Sequence, residues 1–334
     1  MVQIVALEEH FIVPELLSAW SGLPESDRGP LAGFGDDPVA QRLRDVGDRR
    51  LAAMADQGVD VQVLSLNTPG VQNLHPADAV VVAREANDAL AGIVRSNPER
   101  FQAFAAVPTP DPAAAPGELE RAITRLGFRG ALLNGRTGTT NMDAPQYDDL
   151  YAMAERLRVP LYLHPQTPVA PVRDAYYTGY GDRFDFVFAN AGIGWHYETG
   201  IQLLRLIFSG VLDRFPGLRL IIGHWGEVVL FFLERTAMMQ QSALHLDRPL
   251  ADYFRQNVWV TGSGILSERY LRWTAEVVGP GHILYATDYP FVDTGAGRAR
   301  SFLENAPLSV PDKVAIGSGS WEQLTGPAAP AAPA

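Results

Sequence analysis

Polar groups that could do chemistry stand where apolar runs stop. The chain opens MVQIVALEEH, and Glu8, Glu9 and His10 follow directly on apolar residues. Alternation along a strand would put Glu8 and His10 on one face and Glu9 on the other. One carboxylate and one imidazole converging at a strand end make half of a metal site, or else a surface ion pair. Farther along, LYLH ends in His164, LIIGH in His224 and LYATD in Asp288, while Asn67 and Asn134 close two more apolar runs. If Glu8, His10, His164 and Asp288 share one mouth, two imidazoles and two carboxylates suit a borderline divalent ion such as zinc, manganese or iron, with positions left open for substrate. Glu9 is then a supporting partner on the other face.

A second group follows the sixth run. In GHWGE, His224 precedes Glu227 by three residues, and a helix opening near Gly226 would place Glu227 in its first turn beside the imidazole. A carboxylate there orients the imidazole and raises its basicity, as general acid–base work requires. Arg235 lies farther down the same stretch, in VVLFFLERTAMM, among apolar residues. An arginine on a buried helix needs an acceptor, either a substrate carboxylate or a protein one such as Glu234. His75, His245 and His282 fall outside the strand ends and read as loop or helix-surface residues; His196 also lies off the strand ends.

The elements that must position these groups are eight short β-type runs: 3–9, 59–67, 101–108, 128–134, 158–164, 218–224, 257–263 and 282–288. Most are continuously apolar, which is how strands buried on both faces read. Helical stretches with stop signals lie between them, Gly58 after RRLAAMADQ and Pro98 after AVVVAREANDALAGIVRSN. Eight strands alternating with helices predict an α/β fold, a (β/α)8 TIM-like barrel with inserted active-site loops, occupying residues 1–324 as a single domain. In such a barrel the C-terminal strand ends carry the chemistry, which is where the polar groups above fall. The Pro-, Gly- and aromatic-rich stretch 165–196 is too long for an ordinary connection and reads as an active-site cover or an oligomer contact. Segment 21–40 is a second candidate lid, and the Pro/Ala tail 325–334 has no apolar face to bury.

Composition narrows the chemistry further. At 47% hydrophobic residues the chain can bury a large core. The absence of cysteine rules out thiolate nucleophiles and thiolate metal ligands, so any metal falls to His, Asp and Glu. A formal charge of −11 argues against nucleic acid and anionic membrane as partners. With no apolar run of membrane-spanning length and no basic leader, a cytoplasmic location is expected.

LEEH, LHP, LIIGHWGE and YATDYPF, together with ETGIQLLRLIFSGVLDRFPGL, resemble the amidohydrolase-related superfamily over residues 3–320. The likeness is stronger to its cofactor-free branch that decarboxylates hydroxybenzoates, of the γ-resorcylate (2,6-dihydroxybenzoate) type. The resemblance implies that Glu8, His10, His164 and Asp288 hold one divalent ion, zinc or manganese. It also implies that His224 and Glu227 act as a dyad, that Arg235 faces the substrate, and that the chain forms a homodimer or homotetramer; Asn67, at its own strand end, is a candidate substrate contact. The implied reaction is non-oxidative decarboxylation of a hydroxylated aromatic carboxylic acid; metal-dependent hydrolysis of a lactone, ester or amide uses the same parts. Binuclear amidohydrolases bridge their metals with a carboxylated lysine in mid-barrel. The only lysine here, Lys313, lies beyond the eighth run, which favours a single metal. Glu-x-His in place of His-x-His favours benzoate-type over muconate-type substrates.

Overall fold

The computed structural model describes residues 1–24, 27–28, 37–242 and 246–326. Half of the candidate lid in 21–40, His245 and the end of the Pro/Ala tail lie outside the described residues. Among those described, the strands are β1 (Val5–Phe11), β2 (Val61–Leu66), β3 (Phe101–Ala103), β4 (Ala105–Ala106), β5 (Ala131–Asn134), β6 (Pro160–His164), β7 (Arg219–Ile222), β8 (Val258–Thr261) and β9 (Ile283–Ala286). They pair in parallel in the order β3-β2-β1-β9-β8-β7-β6-β5-β4. The two ends of that order are halves of one predicted run, 101–108. At the break Phe104 N–H donates to Leu64 of β2, and Ala105 N–H donates to Gly130 just before β5. One stave thus changes neighbours in mid-course and closes an eight-stave (β/α)8 barrel.

Continuous apolar runs were needed because both faces of each strand are covered. Val5, Leu7, Val63, Phe104, Leu132, Tyr162, Ile221 and Leu284 fill the interior, while the alternate residues pack against the surrounding helices. The helix Ser320–Thr325 closes one end: Trp321 packs on Phe104 with ring centroids 5.5 Å apart and donates its indole N–H to Gln102. Arg129 and Arg219, at the starts of β5 and β7, donate to Gly326 and Leu324. The N-terminal end of the barrel is therefore sealed, and the opposite end is left for chemistry.

The stop signals act as expected. Helix Asp48–Gln57 ends at Gly58, whose φ of 81° is the left-handed cap that glycine takes without strain, and helix Pro76–Ser96 ends before Pro98. The stretch 165–196 differs from the loop expected. It contains helices Ala170–Tyr176 and Asp182–Val187 and runs into helix Gly194–Phe208. Its aromatics supply the packing a bare loop would lack, with Tyr177, Tyr180 and Phe184 each against Phe188. Among the described residues no helix is long and apolar enough to cross a membrane.

Candidate active site

Glu8 does not reach the mouth by strict alternation. The β1–β2 register shifts between Ala6 and Glu9, and Glu8 sits in this bulge with φ 62°. A bulge re-aims a side chain, and here it turns the carboxylate inward beside His10. Glu8 Oε2 accepts from Tyr162 at 2.6 Å and from Ser263, whereas Oε1 has no hydrogen-bond partner and lies 3.3 Å from His164 Nε2. His10 sets Nδ1 3.3 Å from Ser65 Oγ; its Nε2, buried and without a hydrogen bond, lies 3.5 Å from Asp288 Oδ1. His164 donates Nδ1–H to its neighbour's carbonyl, Pro165 O, at 2.8 Å, which fixes the tautomer and leaves the Nε2 lone pair facing the cluster.

These atoms fit one divalent cation. Ligand atoms of Glu8, His10 and His164 all lie within 4.8 Å of one another, and Asp288 adds a carboxylate at the edge. Burial raises the Glu8 pKa even against the pull of His224 and His10. Burial likewise holds His164 well below its ordinary value, so its imidazole is neutral and able to ligate. Orphaned buried oxygen and nitrogen atoms facing one point are what a cation would satisfy.

Glu9 is the structural partner expected. It accepts from Gln62 at 2.8 Å and from the Thr287 backbone and hydroxyl at 2.9 and 2.8 Å, so it ties the end of β1 to the residue before Asp288. Burial, opposed by those Thr287 bonds, pushes its pKa up to about 8. Beneath it Arg50, fully buried, donates to the His10 carbonyl and lies over the Tyr289 ring, 4.7 Å from its centroid.

The dyad forms, but by a different turn. Glu227 is not in the first turn of an α-helix: Trp225, Gly226, Glu227 and Val228 have φ of 57°, 90°, 48° and 61°. This left-handed reversal folds the carboxylate back so that His224 Nδ1–H donates to Glu227 Oε1 at 2.6 Å. With His224 at φ 46° and Asp288 at φ 57°, several site residues hold conformations costly for non-glycine residues, as functional sites often do. The turn is wedged by helix Gly194–Phe208, where a Cβ on Gly200 would meet Glu227 O at 2.5 Å. His224 N–H donates to Ser263 Oγ, the hydroxyl that also serves Glu8. Burial would raise the Glu227 pKa, but His224 and His196 outweigh it and hold it near 2. Burial would lower that of His224, but Glu227 and Glu8 lift it to about 10.

His196 was missed. It comes from the insertion, and its Nδ1 lies 2.6 Å from Glu227 Oε2. The available signal was the imidazole in GIGWHYETG, at the junction of the aromatic stretch and an apolar helix. Trp195 and Phe291 flank the cluster, with ring centroids 6.3 Å from His164 and 5.7 Å from His10. Asn67 is buried at the end of β2, donating to Thr68 O and leaving Oδ1 unpartnered.

Arg235 does not lie on the buried helix expected. It is exposed, on a short helix Leu233–Ala237 whose neighbours Phe231, Phe232 and Glu234 are also exposed, and its recorded partner is Met238. The apolar residues around it suggested a buried helix, but they lie on the surface of this chain. His75 immediately precedes helix Pro76–Ser96 without a side-chain capping bond, and His282 stacks on Trp259 at 4.5 Å; both are outside the site.

Comparison with known proteins places this site in a family. The amidohydrolase family model matches residues 14–317. γ-Resorcylate decarboxylase from Rhodococcus jostii is 36% identical, over 94% of this chain and 95% of its own. The crystal structure of a dihydroxybenzoic acid decarboxylase from Polaromonas, with bound manganese and the inhibitor 2-nitroresorcinol, superposes with a TM-score of 0.84 at 33% identity, covering 97% of each chain. 5-Carboxyvanillate decarboxylase LigW from Sphingomonas paucimobilis superposes with a TM-score of 0.88 at 30% identity, over 97% of this chain and 99% of that one. The chain belongs to the amidohydrolase family.

Proposed function

We propose that the protein is a metal-dependent, non-oxidative decarboxylase of a hydroxylated aromatic carboxylic acid, with residues 1–324 as its single catalytic domain. The observation that carries this reading is the buried Glu8–His10–His164 cluster with orphaned atoms facing Asp288, in a chain similar to hydroxybenzoate decarboxylases. Glu8, His10, His164 and Asp288 would hold the ion, zinc or manganese, which when bound supplies positive charge to the substrate's carboxylate and adjacent phenolic oxygen.

The chain's own residues do the rest. Trp195 and Phe291, whose rings stand beside those of His164 and His10, would stack on a flat aromatic substrate, and the unpartnered Asn67 Oδ1 would accept from a phenolic hydroxyl. Asp288 delivers a proton to the ring carbon bearing the carboxylate, so that a C–H bond forms there and aromaticity is interrupted. The bond to the carboxylate then breaks, its electron pair restores the ring, and CO2 leaves. His224, held by Glu227 and electrostatically coupled to Asp288, resupplies the proton.

Purified without chelator, the protein is expected to carry about one divalent ion per chain and to release CO2 from 2,6-dihydroxybenzoate, with activity lost on chelation and restored by manganese or zinc. Acid formed from a neutral lactone, with no CO2 from any hydroxybenzoate, would replace this reading by hydrolysis.

The reading includes a homodimer or homotetramer. Phe231, Phe232, Met238 and Met239 are exposed around Arg235, and Tyr176, Tyr180 and Phe184 are exposed on the insertion, and contiguous exposed apolar side chains mark interaction surfaces. Covering by a second copy would also take Arg235 out of solvent, where its guanidinium has use for a carboxylate. Light scattering that gives the mass of one chain at micromolar concentration would remove this part.

A further inference from the structure

Glu227 serves two imidazoles. His224 donates to one carboxylate oxygen and His196 approaches the other, each at 2.6 Å, with the two rings 4.5 Å apart and inclined by 63°. Glu227 is fully buried, and the two imidazoles are its side-chain hydrogen-bond partners. The far nitrogen of His196 lies 3.3 Å from the Trp195 indole N–H, a donor, and 3.3 Å from the Ala191 carbonyl, an acceptor. A neutral ring can accept from the indole and a cationic ring can donate to the carbonyl, so either form of His196 has a partner. The titratable groups facing it are Glu227 and His224 from the turn after β7, with His164 of β6 acting at longer range.

A carboxylate drawn toward two protons holds each less tightly than one that serves a single imidazole. It is also fixed in rotation, because both oxygens are engaged. Around Glu227 the other constraint is steric: Gly200 lies against its carbonyl, which sets the backbone and leaves the side-chain torsions to be decided by these hydrogen bonds.

We propose that His196 is a positioning residue for the proton relay: by engaging the second oxygen of Glu227 it orients His224 and keeps that imidazole ready to release its proton. This rests on the decarboxylase reading for its kinetic consequence, but not for its structural one. With His196 gone, Glu227 turns wholly to His224, which then holds its proton longer and points less consistently.

The test compares His196→Ala and His196→Asn with the parent protein, each loaded with zinc. In His196→Ala kcat on 2,6-dihydroxybenzoate is expected to fall ~10-fold with KM within ~2-fold. The alkaline limb of its kcat/KM profile is expected to move about one unit to higher pH. His196→Asn returns an N–H to the position of Nδ1, and kcat is expected to recover to within ~3-fold of the parent. Independently of turnover, the ring nitrogens of His224, followed by NMR with labelled histidine, are expected to titrate at higher pH in His196→Ala. Unchanged kinetics and an unchanged His224 titration would overturn the proposal. So would loss of the metal or of the fold in both variants, which would make the role merely structural, and so would a second bound metal that disappears with His196. If no variant or parent decarboxylates a hydroxybenzoate while the His224 titration still moves, the decarboxylase reading fails and the positioning role stands.

Discussion

Asp288→Asn is expected to lower turnover by ~10²–10⁴-fold, or roughly 2.7–5.5 kcal/mol of transition-state stabilisation, while leaving the fold intact. The exchange is nearly isosteric, and asparagine tolerates the left-handed conformation Asp288 adopts at φ 57° better than most residues, so the backbone has little reason to move. Asp288 is also the part of the cluster least committed to holding it together. Its side chain is 16% exposed, whereas those of Glu8 and His10 are 0% and 1% exposed. The amide can still offer an oxygen near His10, but it cannot cycle a proton. Metal content should therefore change much less than kcat, and KM should stay near that of the parent. Elemental analysis, circular dichroism and CO2 release measured on one preparation separate the roles. Loss of metal in parallel with activity would make Asp288 a ligand only, and near-normal turnover would remove it from the chemistry.

The parts of the site legible in the sequence are those attached to the barrel's own regularity. His164, His224 and Asp288 follow apolar runs that had to be buried on both sides, so their positions at strand ends could be read from where the apolar character stops. Glu8 was found by the same rule, although the bulge that aims it leaves no mark in a pattern of alternating faces. The Glu227 contact was legible and its geometry was not. Trp225, Glu227 and Val228 lie in a left-handed reversal that their residue types disfavour, held by Gly200 and Ser263 from elsewhere in the chain. His196 was illegible for a different reason: it reaches the site from an insertion, where no strand end gives it an address. At Arg235 it is the expected burial that fails. Apolar neighbours in the sequence imply burial only when something covers them, and in the single chain Phe231, Phe232, Met238 and Met239 are exposed.

Replacing Glu8 by glutamine should reverse the order of stability depending on whether a cation is present. Glu8 is fully buried, and burial is the main reason its pKa is raised above 4.5, with Asp288 adding to the shift and His224 and His10 opposing it. A raised carboxyl pKa means the unfolded chain gives up its proton first as pH rises. Without metal, stability is then present below about pH 4.5, falls as pH climbs toward the folded-state value and stays reduced above it. Glu8→Gln removes that loss, because an amide oxygen can keep accepting from Tyr162 and Ser263 while carrying no charge into the barrel. In chelator at neutral pH the variant should be more stable than the parent, by at most about 1–4 kcal/mol, the gain seen when whole buried ion pairs are replaced by neutral residues of similar volume. The difference should close in acid, where the parent's carboxyl is protonated. Divalent cation should invert the comparison: it binds the folded parent and stabilises it by mass action, and it gains much less from a site whose central ligand has lost its charge. Urea unfolding of both proteins, with chelator and with manganese across pH 4–8, reads all of this without substrate. A variant less stable than the parent even in chelator would show that the protein alone compensates the Glu8 charge, and the orphaned Oε1 would then be no argument for a cation.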